Sequence, residues 1–161
     1  MKILFLDIDG VLNGHEWDDE AKSCNIRREC VKRLNRVVSA TGCKIVVSSA
    51  WRYILLGGSM DHKGFGYMLR THGLIAPGGS MHLIIGHTDP DADPPGSDGE
   101  RARQILKWRI ENFPESRYAV VDDDDDGFTL AGMPVVITDG GKGLTDADAD
   151  RLIELLGRKQ S

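Results

Sequence analysis

The chain has 161 residues, of which 40% are hydrophobic and 28% charged, a composition that is ordinary for one soluble globular domain. Its formal net charge of −5 argues against a broad nucleic-acid-binding surface, because neutralisation of phosphates dominates such binding. No apolar run has the length of a transmembrane helix, and Cys24, Cys30 and Cys43 have neither an even count nor a paired Cys-x-x-Cys spacing. We therefore expect a cytoplasmic protein without a membrane partner or an obligate protein partner.

The first predicted element is a buried parallel strand over residues 2–7. Its residues are almost continuously apolar, and the strand runs into Asp7 and Asp9, which Gly10 follows at once. A glycine lets the chain turn where a strand stops, and ligands of open parallel sheets bind outside the carboxyl ends of the strands. The two acids therefore lie where an active site is expected, and a cation or a proton must compensate them there.

The next predicted elements lead to a second polar strand end. A loop over residues 14–25 precedes a helix over 27–40, in which apolar residues recur every three or four positions. A strand over 43–48 follows and ends in Ser48 and Ser49.

The rest of the chain continues the alternation of strands and helices. The predicted elements are a loop over 53–66, a helix over 67–72, a strand over 82–86, an exposed loop over 88–99, a helix from 99 or 100 to 112, a strand over 117–122, a strand over 134–137 and a helix that begins at Thr145 with a capping box to Asp148. Alternating strands and helices predict a parallel sheet that helices cover on both faces.

Three of the predicted strands end in oxygen-bearing side chains. The first ends in Asp7, the second in Ser48, and the strand over 117–122 runs into the acidic segment Asp122–Asp126. Carboxylate oxygens suit Mg²⁺, which keeps several waters and needs only one or two protein carboxylates beside substrate oxygens. This set of strand ends predicts a site for a divalent cation and a phosphate group.

The motifs together resemble the haloacid dehalogenase (HAD) superfamily. Asp7-Ile8-Asp9-Gly10-Val11-Leu12-Asn13 resembles its first motif, Ser48 its second, and Asp122–Asp126 both forms of its fourth, while the third is a Lys or Arg at a helix start. More narrowly, the segments Val47–Arg52, Arg101-Ala102, Thr138-Asp139 and Gly143–Thr145 are similar to the small HAD domains of RNA-repair proteins sometimes called Swiss-army-knife repair proteins.

The resemblance implies an α/β fold with a Rossmann-like three-layer α/β/α HAD core. The expected sheet is mainly parallel and five-stranded, with the first strand at its centre, in a single HAD-like domain over residues 1–161. Only residues 14–42 separate the first two motifs, and a helix uses much of that length, so we expect a minimal cap or none. An open site of this kind can accept a large substrate.

The resemblance also implies a hydrolase: a Mg²⁺-dependent phosphomonoesterase that acts through an aspartyl-phosphate. Asp7 would be the nucleophile and Asp9 the proton donor and base. The expected metal ligands are Asp7, Asp9 through its backbone carbonyl, Asp122 and Asp123, with Asp126 as an alternative to Asp123.

The expected phosphate-binding residues are Ser48, Ser49, Gly10 and a cation. Arg101 is the first choice for that cation, because an arginine fork can bind two phosphate oxygens, and Arg103 and Lys107 remain alternatives. The favoured substrate is a nucleotide or a nucleic-acid phosphate end.

Other interpretations of the sequence stay open. One is a receiver-like signalling module that is phosphorylated on an aspartate, another is a non-catalytic Mg²⁺-binding partner domain, and a third is a phosphotransferase. The basic residues between 27 and 36 and between 101 and 109 fit either solvated helix faces or a basic rim that guides an anionic substrate.

Overall fold

A computed structural model describes residues 1–18, 23–75, 82–90 and 97–157 of the chain. The elements in chain order are β1 (Lys2–Leu6), β2 (Trp17–Asp18), β3 (Ser23–Cys24), α1 (Arg28–Thr41), β4 (Lys44–Val47), α2 (Arg52–Leu56), α3 (His62–Thr71), β5 (Ile84–His87), α4 (Glu100–Asn112), β6 (Arg117–Asp122), β7 (Val135–Ile137) and α5 (Asp146–Leu156).

Five strands form one sheet in the order β5-β4-β1-β6-β7, and every neighbouring pair is parallel. The predicted Rossmann-like α/β fold with β1 at the centre is therefore confirmed. Leu6 pairs with Val47 on one side and with Val121 on the other, so β1, β4 and β6 end at the same level. The next residue of each strand is Asp7, Ser48 or Asp122, and these three residues therefore lie at the same edge of the sheet.

Alternating residues of β1 face two separate hydrophobic layers. Leu4 and Leu6 pack into a layer with α1, α3 and α5, whereas Ile3 and Phe5 pack into a second layer with α4. Both layers are buried, which explains why β1 is apolar at nearly every position rather than at every second one.

The helix boundaries agree with the local signals for α1 and α5. Gly42 follows α1 in the left-handed conformation and donates its N–H to Val38, as a glycine past a helix end does. At the start of α5, Thr145 and Asp148 form the predicted capping box.

The prediction of a loop over 53–66 is wrong. The segment carries α2 and the start of α3, which begins at His62 and not at residue 67. The side chain of Asp61 accepts a hydrogen bond of 2.7 Å from the N–H of Gly64. This N-cap stabilises the first turn of α3, which the low helix propensity of glycine would otherwise disfavour.

Two further boundaries differ from the predictions. The predicted loop over 14–25 contains the short antiparallel pair β2 and β3, and β5 covers Ile84–His87 instead of residues 82–86. Residues 91–96 of the predicted loop over 88–99 lie outside the described residues.

Candidate active site

The ends of β1, β4 and β6 bring three sequence-predicted site residues together. The N–H of Asp7 donates to Val121 (3.0 Å) and the N–H of Ser48 donates to Leu6 (2.9 Å), so the sheet ladder continues into the site. Asp7 is 3% exposed and Asp122 is 1% exposed. The two predicted strand-end acids are therefore buried neighbours.

Asp7, Asp122 and Asp123 form a cluster in which each residue offers an oxygen within 4.8 Å of the others. Burial, with the nearby charge of Asp122, raises the pKa of Asp7 to about 7. Burial raises the pKa of Asp122 to about 6, although Arg101 lowers it. Either a proton or a cation can compensate such carboxylates, and an all-oxygen cluster suits Mg²⁺, so the residues present fit that ion.

Arg101 is the cation that contacts these acids. Its Nη1 donates to Oδ2 of Asp122 at 2.7 Å and lies 3.4 Å from Oδ1 of Asp7. Asp126 fixes the first turn of α4, because its carboxylate accepts from the N–H groups of Gly99 (2.8 Å) and Arg101 (3.1 Å). Asp126 thus orients a neighbouring element of the site.

The two alternative cations lie elsewhere on α4. Arg103 donates to the carbonyl of Asp98 and to the hydroxyl of Ser97, both at 2.7 Å, which turns its guanidinium towards the segment before the helix. Lys107 is exposed nearly two turns beyond Arg101.

The two serines after β4 differ in their hydrogen bonds. Ser48 is 1% exposed, and its Oγ has no hydrogen-bond partner among the described residues. The Ser49 side chain hydrogen-bonds to Asp7, which lowers the pKa of that carboxyl, and its Oγ accepts from the N–H of Trp51 at 3.3 Å. Ser48 therefore has the uncommitted hydroxyl, and a phosphate contact by Ser49 stays a prediction.

Asp9 is oriented by two neutral donors. Its Oδ1 accepts from Nδ2 of Asn13 at 2.8 Å and from Nε1 of Trp51 at 3.0 Å. The ring of Trp51 packs edge-on against Phe65. The indole N–H gives it a second task that ring packing alone could not predict.

Gly10 has a backbone that few other residues could adopt. Its φ is +76°, and a Cβ there would overlap the carboxylate of Asp123. Its N–H donates to Oδ1 of Asn13 at 2.9 Å, and its carbonyl accepts from Oγ1 of Thr138 at 2.8 Å. Its predicted phosphate contact stays a prediction, because the N–H already has a protein acceptor.

His15 was not predicted as a site residue. It is one of five histidines scattered along the chain, and nothing in their spacing distinguishes it from the others. Its Nε2 lies 2.5 Å from Oδ2 of Asp123, and this hydrogen bond raises the pKa of the imidazole. Its φ of +61° makes it the one described non-glycine residue with a positive φ. The only available sequence signal was its place in the loop after the Asp-x-Asp-Gly segment, five residues beyond Gly10.

Arg52 carries a buried charge at the same edge of the sheet. It is 6% exposed, its Nη1 donates to Oγ1 of Thr88 at 3.2 Å, and its Nε has no hydrogen-bond partner among the described residues. The described part of the chain shows no acid paired with this guanidinium.

The comparison with known families agrees with this geometry. A family model described as the HAD domain in Swiss Army Knife RNA repair proteins matches residues 3–149. The chain belongs to this HAD family. The match covers every strand of the central sheet and all the site residues discussed above. Searches of curated proteins and of solved structures gave no match.

No helix within the described ranges combines the length and the apolar character that crossing a bilayer requires. The basic residues of α1 engage acids at the start of α5: Arg33 lies 3.4 Å from Asp146, and Arg36 lies 3.0 Å from Asp150. These two arginines therefore belong to a charged helix surface.

Proposed function

We propose that this HAD domain is a Mg²⁺-dependent phosphomonoesterase that acts through an aspartyl-phosphate on Asp7. The observation that carries the proposal is the buried cluster of Asp7, Asp122 and Asp123 beside the guanidinium of Arg101 and the unpartnered hydroxyl of Ser48. Phosphoryl transfer needs carboxylates for the metal and the nucleophile, a guanidinium for the phosphoryl charge and a hydroxyl donor, and all three lie at this edge of the sheet.

Asp7, Asp122 and Asp123 would hold the Mg²⁺, together with the backbone carbonyl of Asp9. When bound, the ion neutralises the charge that develops on the transferring phosphoryl group and lets its negative oxygens approach the carboxylates. Ser48 would donate its hydroxyl hydrogen to one phosphoryl oxygen. Arg101 would donate N–H groups to another, with a geometry that a lysine could not offer.

In the first half-reaction, an oxygen of the Asp7 carboxylate would attack phosphorus while the bond from phosphorus to the ester oxygen breaks. The Asp9 carboxyl would give its proton to that departing oxygen, so an alcohol leaves and an acyl phosphate remains on Asp7. The hydrogen bonds from Asn13 and Trp51 to one oxygen of Asp9 support this step, since they fix the carboxyl and leave its other oxygen for the substrate.

In the second half-reaction, the Asp9 carboxylate would take a proton from a water that attacks phosphorus. The bond from phosphorus to the Asp7 oxygen breaks, inorganic phosphate leaves, and both side chains return to their starting states. The hydrogen bond from Ser49 holds the Asp7 carboxylate during both attacks.

We propose a nucleotide or a nucleic-acid phosphate end as the substrate. The family description, which names RNA repair proteins, supports this class of substrate. The small size of the segment between β1 and α1 also supports it, because β2 and β3 have only two residues each, too few for a folded cap domain.

A panel of phosphate esters with Mg²⁺ tests the proposal. It should contain 3′- and 5′-phosphorylated oligonucleotides, mononucleotides and a small aryl phosphate, each assayed with and without EDTA. We expect repeated turnover that EDTA stops and that Asp7→Asn abolishes while the circular dichroism spectrum is unchanged. Release of no more than one phosphate per chain would instead favour a receiver-like module.

A further inference from the structure

The contact between His15 and Asp123 joins the loop after β1 to the loop after β6. Nε2 of His15 lies 2.5 Å from Oδ2 of Asp123, and the two residues are 108 positions apart in the chain. We propose that His15 is a positioning residue that sets the orientation of the Asp123 carboxylate in the cation site. This inference rests on the metal centre of the proposed function.

The other two acids of the cluster already have such partners. Asp122 is held by Arg101, and Asp7 by the hydrogen bond from Ser49. Residues that hydrogen-bond to metal-binding carboxylates fix their direction and increase metal affinity. His15 hydrogen-bonds to Asp123, so each of the three carboxylates of the cluster has a side-chain partner that holds it.

The backbone around His15 is built for this contact. A φ of +61° is unfavourable for a residue with a Cβ and persists where neighbouring interactions impose it. Oδ1 of Asn13 accepts from the N–H groups of both Gly10 (2.9 Å) and His15 (3.3 Å). These two hydrogen bonds stabilise the turn that places the imidazole of His15 against Asp123.

Two glycines from separate segments leave room for the pair. Gly10 follows β1, and Gly140 follows β7; a Cβ on Gly140 would lie 2.9 Å from Oδ2 of Asp123 and 3.0 Å from Nε2 of His15. A Cβ on Gly10 would meet the same two side chains. Loops from two parts of the chain therefore enclose this pair of atoms closely, as a fixed orientation of Asp123 requires.

Calorimetric titration of the metal-free full chain with MgCl₂ tests the inference. His15→Gly removes the imidazole and suits the positive φ, so we expect an unchanged or higher melting temperature but about tenfold weaker Mg²⁺ binding. Compared with His15→Gly, His15→Gln restores a side-chain N–H donor, and its Cβ restricts the backbone as that of histidine does. We therefore expect it to recover most of the affinity. His82→Ala removes an exposed histidine elsewhere and should bind Mg²⁺ as the wild type does.

The outcomes separate the inference from the proposed function. Wild-type affinity in His15→Gly would overturn the positioning role and leave the phosphatase proposal intact. A loss of affinity in His15→Gly that His15→Gln does not recover would show that an N–H donor at position 15 does not account for the affinity, and it would also overturn the positioning role. If the wild type bound no Mg²⁺, the proposed metal centre would itself be wrong, and the inference would fall with it.

Discussion

Nη1 of Arg101 lies 2.7 Å from Oδ2 of Asp122, and the same nitrogen lies 3.4 Å from Oδ1 of Asp7. One guanidinium thus faces two carboxylates that are almost entirely buried. A single positive charge cannot neutralise two negative ones, which is why burial still raises the pKa of both acids despite the arginine. The imbalance leaves the site electrostatically suited to a divalent cation.

The first prediction concerns removal of this guanidinium by Arg101→Gln. Without Mg²⁺, we expect the variant to lose about 2 kcal/mol of unfolding free energy, because buried Asp122 loses a charged hydrogen-bond donor and buried Asp7 loses the nearby positive charge. Mg²⁺ should raise its melting temperature by more than it raises that of the wild type, since the ion meets a more negative site. Thermal melting with EDTA and with Mg²⁺ measures both effects.

Arg103→Gln is the matched control, because Arg103 lies on the same helix and donates to the carbonyl of Asp98 and the hydroxyl of Ser97, both before the helix. Its response to Mg²⁺ should equal that of the wild type. Equal Mg²⁺-induced shifts for Arg101→Gln and Arg103→Gln would contradict the account given for Arg101.

The second prediction concerns the pH dependence of stability in EDTA. The pKa of Asp7 is about 7 in the folded protein and near 3.8 in an unfolded chain, and that of Asp122 is also raised, to about 6. The folded state therefore binds more protons than the unfolded state between these values, and the free energy of unfolding falls as pH rises from about 4 to about 7. Urea denaturation at several pH values in this window measures the slope.

Asp7→Asn isolates the contribution of Asp7 to that slope. The amide cannot ionise, so the fall in unfolding free energy with pH should be smaller in this variant than in the wild type. Identical slopes in the two proteins would show that Asp7 has an ordinary pKa in the folded chain.

The sequence predicted the parts of the site that depend on the sheet. The apolar run of β1 identified a central strand, and parallel pairing then required Asp7, Ser48 and Asp122 to emerge at one edge. Arg101, the first choice for the phosphate-binding cation, contacts Asp7 and Asp122, and its contact with phosphate stays a prediction.

The parts that the sequence did not predict depend on single contacts between distant segments. His15 meets Asp123 only because β1 and β6 are neighbours and a turn gives it a positive φ, and no local pattern encodes both conditions. The early start of α3 depends on the Asp61 cap, which outweighed the low helix propensity of two glycines.

The third prediction concerns the indole N–H that orients Asp9. Trp51→Phe keeps an aromatic ring against Phe65 but removes the 3.0 Å hydrogen bond to Oδ1 of Asp9. We expect a fall in kcat of about tenfold, because Asn13 is then the one donor to Asp9 among the described residues, and a loss of unfolding free energy of about 1 kcal/mol. Steady-state kinetics on the best ester of the panel and urea denaturation measure the two quantities.

Trp108→Phe controls for the size of the substitution. Trp108 packs edge-on against Phe5 in the layer beneath α4, and its variant should lose stability without a specific loss of kcat. An equal fall in kcat for both tryptophan variants would mean that Trp51 acts through packing and not through Asp9.

The last prediction uses two adjacent glycines that differ in their surroundings. A Cβ on Gly140 would lie 2.9 Å from Oδ2 of Asp123, whereas a Cβ on Gly141 would meet nothing closer than Oδ1 of Asp139 at 3.4 Å. Gly140→Ala must displace the carboxylate or the imidazole of His15, so we expect weaker Mg²⁺ binding by roughly tenfold. The fold should survive, because the displaced atoms are the ends of side chains and not backbone. Gly141→Ala should bind Mg²⁺ like the wild type. Calorimetric titration of the two variants measures both affinities. Equal affinities would contradict the argument that a Cβ on Gly140 displaces the Asp123 carboxylate.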